Sequence, residues 1–234
     1  VLVLLLDILI DYSECVLMPD QISRRKLLIG MAALTVTHST AIAKKLMTTP
    51  RQSAGPYYPV TLPHDDDNDL THVEGAEGEA QGLITNLGGK ILDINNRPLD
   101  ALRIEIWQCD ANGRYRHPHE RSQAAIDENF QGHGHTLTDA TGQYHFRTIR
   151  PVPYPGRTPH IHIAVFPKGE PPFVTQLYIK NEPRNENDFL FQRVPADRRH
   201  LVVARFNDSQ YPDSAFDASF NIILNRTDGT PQEK

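Results

Sequence analysis

Apolar and polar residues alternate along much of this chain with a period of two, in short runs between residues 80 and 224. In the run LRIEIW at 102–107, three aliphatic residues alternate with Arg103, Glu105 and Trp107. Successive side chains of a β-strand point to opposite faces of the sheet. The run therefore predicts a strand with one face in the core and one face that is only half buried.

Further runs of this kind follow, and turn residues such as Asn112-Gly113 and Thr141-Gly142 separate them. Their close spacing, with no long amphipathic helix between them, is typical of a β-sandwich. A brief helix is expected only near 187–192 or 196–200. We therefore predict an all-β fold, an antiparallel β-sandwich with long loops, over residues 78–234. The predicted runs are 80–89, 90–101, 102–113, 135–149, 160–166, 174–180, 200–206 and 218–224.

Residues 44–77 show neither a helical nor a strand period and are rich in Pro and Asp. Such a segment predicts an extended N-terminal arm that wraps the domain. Tyr57 and Tyr58 stand between prolines in this arm. Two interpretations stay open for them, simple packing against the domain and a place at the rim of a functional site.

The first part of the chain, residues 1–43, reads as a leader. Within 18–43, a twin arginine at 24–25 precedes an apolar stretch at 27–36, and the segment ends in Ala-Ile-Ala. This order predicts a bacterial twin-arginine signal peptide, with 1–17 an upstream misreading of the gene. It implies a periplasmic or secreted protein with no membrane segment after cleavage. The alternative is a short buried helix that happens to follow two arginines.

The composition limits the classes of partner and of metal ligand. The chain has 234 residues, 39% of them hydrophobic, and a net charge of -5, which suits one soluble domain and argues against nucleic acid as a partner. Of its two cysteines, Cys15 and Cys109, only the second would remain after loss of the leader. Eleven histidines with so few cysteines point to nitrogen and oxygen ligands for any metal.

The segment YPGRTPHIHIAV at 154–165 holds the strongest candidates for chemistry. On a strand, His160 and His162 share one face, which would present two imidazoles to a metal from one side of a sheet. A lone His-x-His motif is a weak signal, and the chain has two more. The residues alone leave open which pair binds a metal, the other two being His117/His119 and His133/His135.

Several longer motifs occur in a fixed order between about residues 52 and 224. They are GPYYP, DNDLT, IWQCDANGRYRHP, NFQGHG, TDATGQYHFRTIRPVPYPGRTPHIH and TQLYI. In this series the chain resembles the intradiol ring-cleavage dioxygenases, in particular single-chain relatives of the protocatechuate 3,4-dioxygenase catalytic subunit. The resemblance implies a non-haem iron(III) enzyme that cleaves a catechol-type ring between its two hydroxyls with O2. The implied product is a cis,cis-muconate-type diacid.

The resemblance also implies a ligand set for Fe(III). Carried over position by position, the ligands are Tyr115 in GRYRH, Tyr154 in PYP, and His160 and His162 in PHIH. Iron(III) is a hard ion that favours phenolate oxygen, and imidazole suits iron generally. A trivalent cation can lower the pKa of a phenol, ordinarily near 10, enough to hold the phenolate at neutral pH.

Three residues take catalytic roles by the same resemblance. Tyr154 would be the ligand that leaves when catechol binds and accepts a substrate proton. Arg157 would stabilise negative charge on the substrate, and Gln176 would lie near the same site.

One departure and one alternative remain. His135 stands where the family usually has an arginine, so recognition of a carboxylated ring, and hence the identity of the catechol, stays open. The oligomeric state is open too, with a homo-oligomer among the choices. The alternative function is a non-catalytic exported β-sandwich binding module, since runs like NRPLDALRIEIW also occur in such modules.

Overall fold

The computed structural model describes residues 45–226. The predicted leader at 1–43 lies outside the described residues, and its assignment stays a prediction. In the described range, no helix has both the length and the apolar character needed to cross a membrane.

Residues 45–226 hold ten β-strands and one short α-helix. The strands are β1 (Ile84–Asp93), β2 (Arg103–Trp107), β3 (His133–Leu137), β4 (Gln143–Ile149), β5 (His160–Phe166), β6 (Phe173–Ile179), β7 (Val203–Ala204), β8 (Phe206–Asp208), β9 (Phe216–Ser219) and β10 (Ile222–Leu224). Every predicted run contains or overlaps at least one of these strands.

The strands form two five-stranded sheets, so the all-β prediction is confirmed. In the first sheet, β1 pairs antiparallel with β4 and parallel with β9 and β10, and β8 pairs antiparallel with β9. The second sheet has the order β3-β2-β5-β6-β7, and only its β6–β7 pair is parallel. The prediction of strictly antiparallel sheets is therefore wrong. Long connections, such as 180–202 between β6 and β7, allow the parallel pairs.

Strand β1 runs unbroken through Gly88 and Gly89, where the sequence predicted the boundary between two strands. A Cβ atom on Gly89 would clash with the carbonyl oxygen of Phe220. Glycine at this position therefore allows the segment around Phe220 to approach closely, and it does not end the strand.

One buried cluster draws apolar side chains from both sheets. Leu87 and Phe146 enter it from the first sheet, and Ile104, Ile161 and Leu177 enter it from the second. All five are fully buried. Removal of such apolar surface from water is the main favourable term in the stability of the fold.

The second face of β2 is more buried than predicted, because only Arg103 on it stays partly exposed. Glu105 is 3% exposed and Trp107 is 1% exposed. The covering residues come from the N-terminal arm, where the Tyr58 hydroxyl donates to Glu105 Oε2 at 2.7 Å. The amide of Gln52 donates to the carbonyl of Val174 at 2.9 Å, so the arm follows the second sheet.

The connection between β6 and β7 holds the helical residues. A 3-10 turn at Pro183–Asn187 leads to α1 (Phe189–Arg193), and a second 3-10 turn spans Ala196–Leu201. Asp188 caps α1 because its Oδ1 accepts from the amides of Leu190 and Phe191. Both predicted helical positions are confirmed.

Candidate metal centre

His160 and His162 project from β5 to the same side of the sheet, and each is 1% exposed. Their Nε2 atoms lie 3.2 Å apart, while Ile161 enters the core on the opposite side. The Nδ1 of His160 lies 2.6 Å from the carbonyl oxygen of Thr158. Since a carbonyl can only accept, this contact assigns the proton to Nδ1 and leaves the Nε2 lone pair directed toward His162.

Both imidazoles are neutral in the ordinary pH range. Burial lowers the pKa of His160 to about 3, and the nearby charge of Arg157 adds to this effect. Burial also places the pKa of His162 well below its usual value, with His160 and Arg157 contributing. Neutral imidazole is the form that binds a metal. The pair can therefore act as ligands without competition from protons.

Tyr154 and Tyr115 reach the histidines from two separate loops. Tyr154 begins a tight turn that the amide of Arg157 closes, donating to the Tyr154 carbonyl at 2.9 Å. Gly156 makes this turn possible with a φ of +82°, in the left-handed region that glycine adopts readily. Tyr115 follows a second turn, in which the amide of Gly113 donates to the carbonyl of Asp110 at 3.0 Å.

The four predicted ligands lie together. The ring centroids of Tyr154 and His160 are 5.6 Å apart, and those of Tyr115 and His162 are 6.3 Å apart. The two tyrosine rings meet edge to face with a centroid distance of 5.5 Å. Residues 39 positions apart in the chain, Tyr115 and Tyr154, thus share one site with the histidine pair.

The hydroxyl of Tyr115 is buried, and the described residues offer it no hydrogen-bond partner. Burial raises the pKa of Tyr115 well above its usual value, so the phenolate does not form at neutral pH without a cation nearby. An unpartnered buried polar atom carries a free-energy penalty. A metal ion bound by this oxygen would remove the penalty and lower the pKa of the phenol.

The donor chemistry of the cluster fits iron(III). Over residues 45–226, no group of three or more His, Cys, Asp or Glu residues is arranged to hold a metal ion. The candidate centre offers two imidazoles and two phenols in place of carboxylates and thiols. Hard phenolate oxygens combined with imidazole suit ferric iron better than they suit soft or purely nitrogen-seeking metals.

Arg157 lies beside Tyr154 and is 9% exposed. Its Nε donates to Asp188 Oδ2 at 2.8 Å, its Nη2 donates to Gln176 Oε1 at 2.6 Å, and its Nη1 lies 3.4 Å from the Tyr154 hydroxyl. Burial lowers the pKa of Arg157, but the hydrogen bond and charge of Asp188 outweigh burial and raise it. The guanidinium is therefore a fixed positive charge next to the Tyr154 oxygen.

Tyr154 and Arg157 also line a cavity of about 280 Å³, together with Gly156 and Asp188. Tyr154 is only partly buried, whereas Tyr115 is 3% exposed. The two candidate tyrosine ligands thus differ in access, and Tyr154 is the one that a molecule in this cavity would meet.

The N-terminal arm closes another side of the centre. The ring of Tyr57 stacks on the ring of Tyr115, with centroids 4.7 Å apart and planes 24° apart. The Tyr57 ring also makes a T-shaped contact with the His117 ring, with centroids 5.7 Å apart. Gly55 lies so close to His162 that a Cβ atom on it would be 3.2 Å from the imidazole Cε1. Of the two interpretations of Tyr57, contact with the site is the one observed.

The histidine pair His133/His135 lies outside the four-residue cluster. His133 is buried with its Nε2 3.3 Å from Glu105 Oε2. The Nδ1 of His135 lies 2.6 Å from the backbone carbonyl oxygen of Asp66, in the arm, and 3.1 Å from Asp66 Oδ2. Both histidines therefore have polar partners outside the candidate metal centre.

Asp188 was missed by sequence reasoning, although it orients Arg157. An Asp directly before a short helical run is typical of an N-cap, and Asp188 has that role. The same carboxylate also binds a guanidinium 31 residues away in the chain. Local sequence carries no signal for that second contact.

Comparisons with known proteins show the family of this chain. Residues 53–226 match a family model described as Dioxygenase. The chain is 36% identical over 179 residues to the protocatechuate 3,4-dioxygenase beta chain of Burkholderia cepacia, across 72% of this chain and 75% of that protein. It is 30% identical over 175 residues to the catechol 1,2-dioxygenase of Acinetobacter baylyi. That match covers 66% of this chain and 52% of the longer relative.

Solved structures give a similar result. The dioxygenase domain of a dioxygenase and carbohydrate-binding protein fusion from Streptomyces sp. SirexAA-E aligns with a TM-score of 0.60 and 28% sequence identity. The alignment covers 77% of this chain and 100% of that domain. The 3-chlorocatechol 1,2-dioxygenase of Rhodococcus opacus has a TM-score of 0.61 at 20% identity, over 79% of this chain and 76% of that one, a likeness of fold alone.

Proposed function

The chain belongs to the intradiol ring-cleavage dioxygenase family, and from this premise we propose that it is a non-haem iron(III) enzyme that cleaves a catechol-type ring between its two hydroxyls with O2. The product would be a cis,cis-muconate-type diacid. One observation carries the proposal: the buried hydroxyl of Tyr115, which has no hydrogen-bond partner among residues 45–226, lies beside the pair His160 and His162. The family consists of ring-cleaving oxidoreductases, so the alternative of a non-catalytic binding module is not retained.

Iron would be held by Tyr115, Tyr154, His160 and His162. The Nε2 atoms of the histidines and the two phenol oxygens supply four donors of the kind that ferric iron favours. Bound iron supplies the Lewis-acid and redox chemistry that makes a catechol reactive toward O2. The β5 strand and the two loop turns would position these four donors around the ion.

Tyr154 is the ligand that we propose leaves when substrate binds, its oxygen accepting a proton from a catechol hydroxyl. Its partial exposure and the cavity of about 280 Å³ beside it support this role. The nearby Arg157 Nη1 would interact with the displaced Tyr154 hydroxyl and stabilise negative charge that develops on the ring. Gln176 and Asp188 would keep the guanidinium in the required orientation.

Colour provides a direct test of this ligand set. Ferric iron bound by tyrosinate should make the purified protein red-brown through charge transfer from phenolate to metal. Iron content per chain is measured on the same sample. A colourless protein with one equivalent of iron per chain would contradict tyrosinate ligation.

The ring that is cleaved should be identified by oxygen uptake with catechol, protocatechuate and hydroxyquinol. His135 stands where many family members have an arginine, and it is engaged by Asp66. A ring without a carboxylate is therefore the substrate class that we favour. Faster uptake with protocatechuate than with catechol would contradict this preference.

We also propose that the two sheets form a β-sandwich and that the protein is exported. A β-sandwich is supported by a buried cluster to which both sheets contribute side chains. Export by the twin-arginine route to the periplasm or beyond rests on the Arg24-Arg25 pair and the apolar stretch that follows. Replacement of both arginines by lysine should retain the protein in the cytoplasm, which cell fractionation would reveal.

A further inference from the structure

A second polar cavity lies elsewhere in the molecule and shares no lining residue with the metal centre. It has a volume of about 350 Å³ and lies where the arm at 48–51 passes the end of β10 and the loop after β5. Its charged lining residues are Arg51, Arg198, Arg226 and Glu170. Three positive charges and one negative charge leave a net charge of +2, although the whole chain carries -5.

Two of these arginines each have one buried donor atom that lacks an acceptor among the described residues. The Nε atoms of Arg226 and Arg198 are both buried, and neither has a hydrogen-bond partner among residues 45–226. Arg226 is 9% exposed, and its Nη2 lies 3.6 Å from Glu170 Oε1, too far for a good hydrogen bond. Burial of positive charge without partners is costly, and the negative charge of an anion in the adjacent cavity would offset that cost for both guanidinium groups.

The remaining contacts hold the arginines in place. Arg198 Nη2 donates to the Thr48 carbonyl oxygen at 2.6 Å and lies 2.9 Å from the Thr48 hydroxyl. Arg51 Nη1 donates to the carbonyl of Pro172 at 2.9 Å, and its guanidinium lies 5.1 Å from the centroid of the Phe173 ring. Guanidinium groups fixed in this way lose little further freedom when a ligand binds.

We propose that this cavity is a binding site for a small oxyanion, either a phosphate group or a dicarboxylate. A planar guanidinium binds carboxylate and phosphate oxygens through two parallel N–H donors, which a lysine cannot do. The volume falls within the range of about 300–1,000 Å³ that is usual for small-molecule sites. Glu170, whose side chain is 40% exposed, can turn toward solvent and leave Arg226 to the ligand.

The test is isothermal titration calorimetry on the full chain at constant ionic strength. Inorganic phosphate and adipate, a six-carbon dicarboxylate, are titrated separately, with chloride as the background anion. We expect saturable binding of one anion per chain.

Arg226→Gln should weaken binding by about tenfold or more, because it removes charge-assisted hydrogen bonds. The matched control, Arg205→Gln, removes the same charge at an exposed position outside the cavity and should change Kd less than about twofold.

A second variant guards against misfolding of the first. Arg51 is exposed in the arm, so Arg51→Gln should leave the fold intact and still weaken binding. Binding of phosphate alone assigns a phosphate group as the ligand, and binding of adipate alone assigns a dicarboxylate; binding of both supports the shared chemistry. No saturable binding of either anion overturns the proposal, as does binding that Arg51→Gln and Arg226→Gln leave unchanged.

Discussion

The indole ring of Trp107 lies flat against the imidazole of His162, with ring centroids 4.9 Å apart and planes 7° apart. The two residues are register partners on the neighbouring strands β2 and β5. The ring of Tyr58, in the arm, contacts the indole edge to face, with centroids 4.9 Å apart. The sheet register and the arm together thus fix the ring orientation of one candidate iron ligand.

Replacement of Trp107 by alanine should lower both stability and iron retention. The side chain is 1% exposed, and truncation of a buried Trp costs about 3–5 kcal/mol in the free energy of unfolding. Without the indole, the His162 ring loses its flat support. Urea unfolding and iron content per chain are the measurements, and Trp107→Phe, which keeps an aromatic face, should retain more of both. An alanine variant with full stability and full iron would contradict the positioning role.

Gly55→Ala should disturb the metal centre through direct contact with His162. Gly55 has a φ of +70°, and a Cβ atom there would lie 3.2 Å from His162 Cε1. Gly75 is a matched control, because it has a φ of +81° and a Cβ atom there would meet no other atom within 4 Å. Both alanine variants should lose about 1 kcal/mol from the left-handed backbone.

Only Gly55→Ala should also shift or weaken the charge-transfer absorption of the iron-loaded protein, because only there does the new methyl press on an imidazole ligand. Urea unfolding and the visible spectrum are recorded for both variants. Equal spectral changes in Gly55→Ala and Gly75→Ala would mean that backbone strain, and not the contact with His162, is responsible.

Tyr154→Phe should retain some iron but lose most turnover. The variant keeps Tyr115 and both histidines, yet it lacks the oxygen that we propose accepts the substrate proton. Iron content and oxygen uptake with catechol measure the two effects. Tyr211→Phe removes a phenol that is 62% exposed and should change neither quantity. Unchanged catalysis in Tyr154→Phe would contradict its proposed role.

Arg157→Lys should reduce turnover by about a hundredfold while iron is retained, a loss typical of removing one preorganised charge contact. A lysine has the same charge but cannot bond Asp188 and Gln176 at the same time as it faces Tyr154. The measurement is kcat for catechol together with iron content. Arg184→Lys, at an exposed position lining the same cavity, should change kcat little. Similar losses in both variants would point to a general effect on the cavity.

Protonation of Glu105 should lower the free energy of unfolding as the pH falls below about 4.5. Burial raises the pKa of Glu105, yet hydrogen bonds from His133, Arg103 and Tyr58 outweigh burial and lower it from 4.5 to about 2. A carboxyl whose pKa is depressed in the folded state contributes stability above its unfolded pKa. That contribution is lost as the pH falls from about 4.5 to about 2.

Glu105→Gln should therefore be less stable than the wild type at pH 7, and its stability should depend less on pH over the acid range. Urea unfolding at several pH values between 7 and 3 gives the comparison. Glu186→Gln, at an exposed position, should follow the wild-type curve. Parallel curves for the wild type and Glu105→Gln would contradict the depressed pKa.

Strand positions were largely predictable because a period of two reflects backbone geometry within a few residues. The predicted strand boundary at Gly88 and Gly89 was wrong because the reason for glycine there is not local. The pair looks like a local break, but the segment around Phe220, which is brought close only by folding, requires glycine at position 89. The direction of β7, β9 and β10 likewise depends on long connections that local pattern does not describe.

The sequence by itself determined the all-β class, the shared face of His160 and His162, and, through motif resemblance, the candidate ligands Tyr115 and Tyr154. These properties depend on local periodicity or on residue type. Only the tertiary structure decided that Asp188 orients Arg157 and that the arm presses Gly55 and Tyr57 onto the centre. Such contacts join residues far apart in the chain, and they arise when packing of the two sheets and the arm brings distant loops to one place.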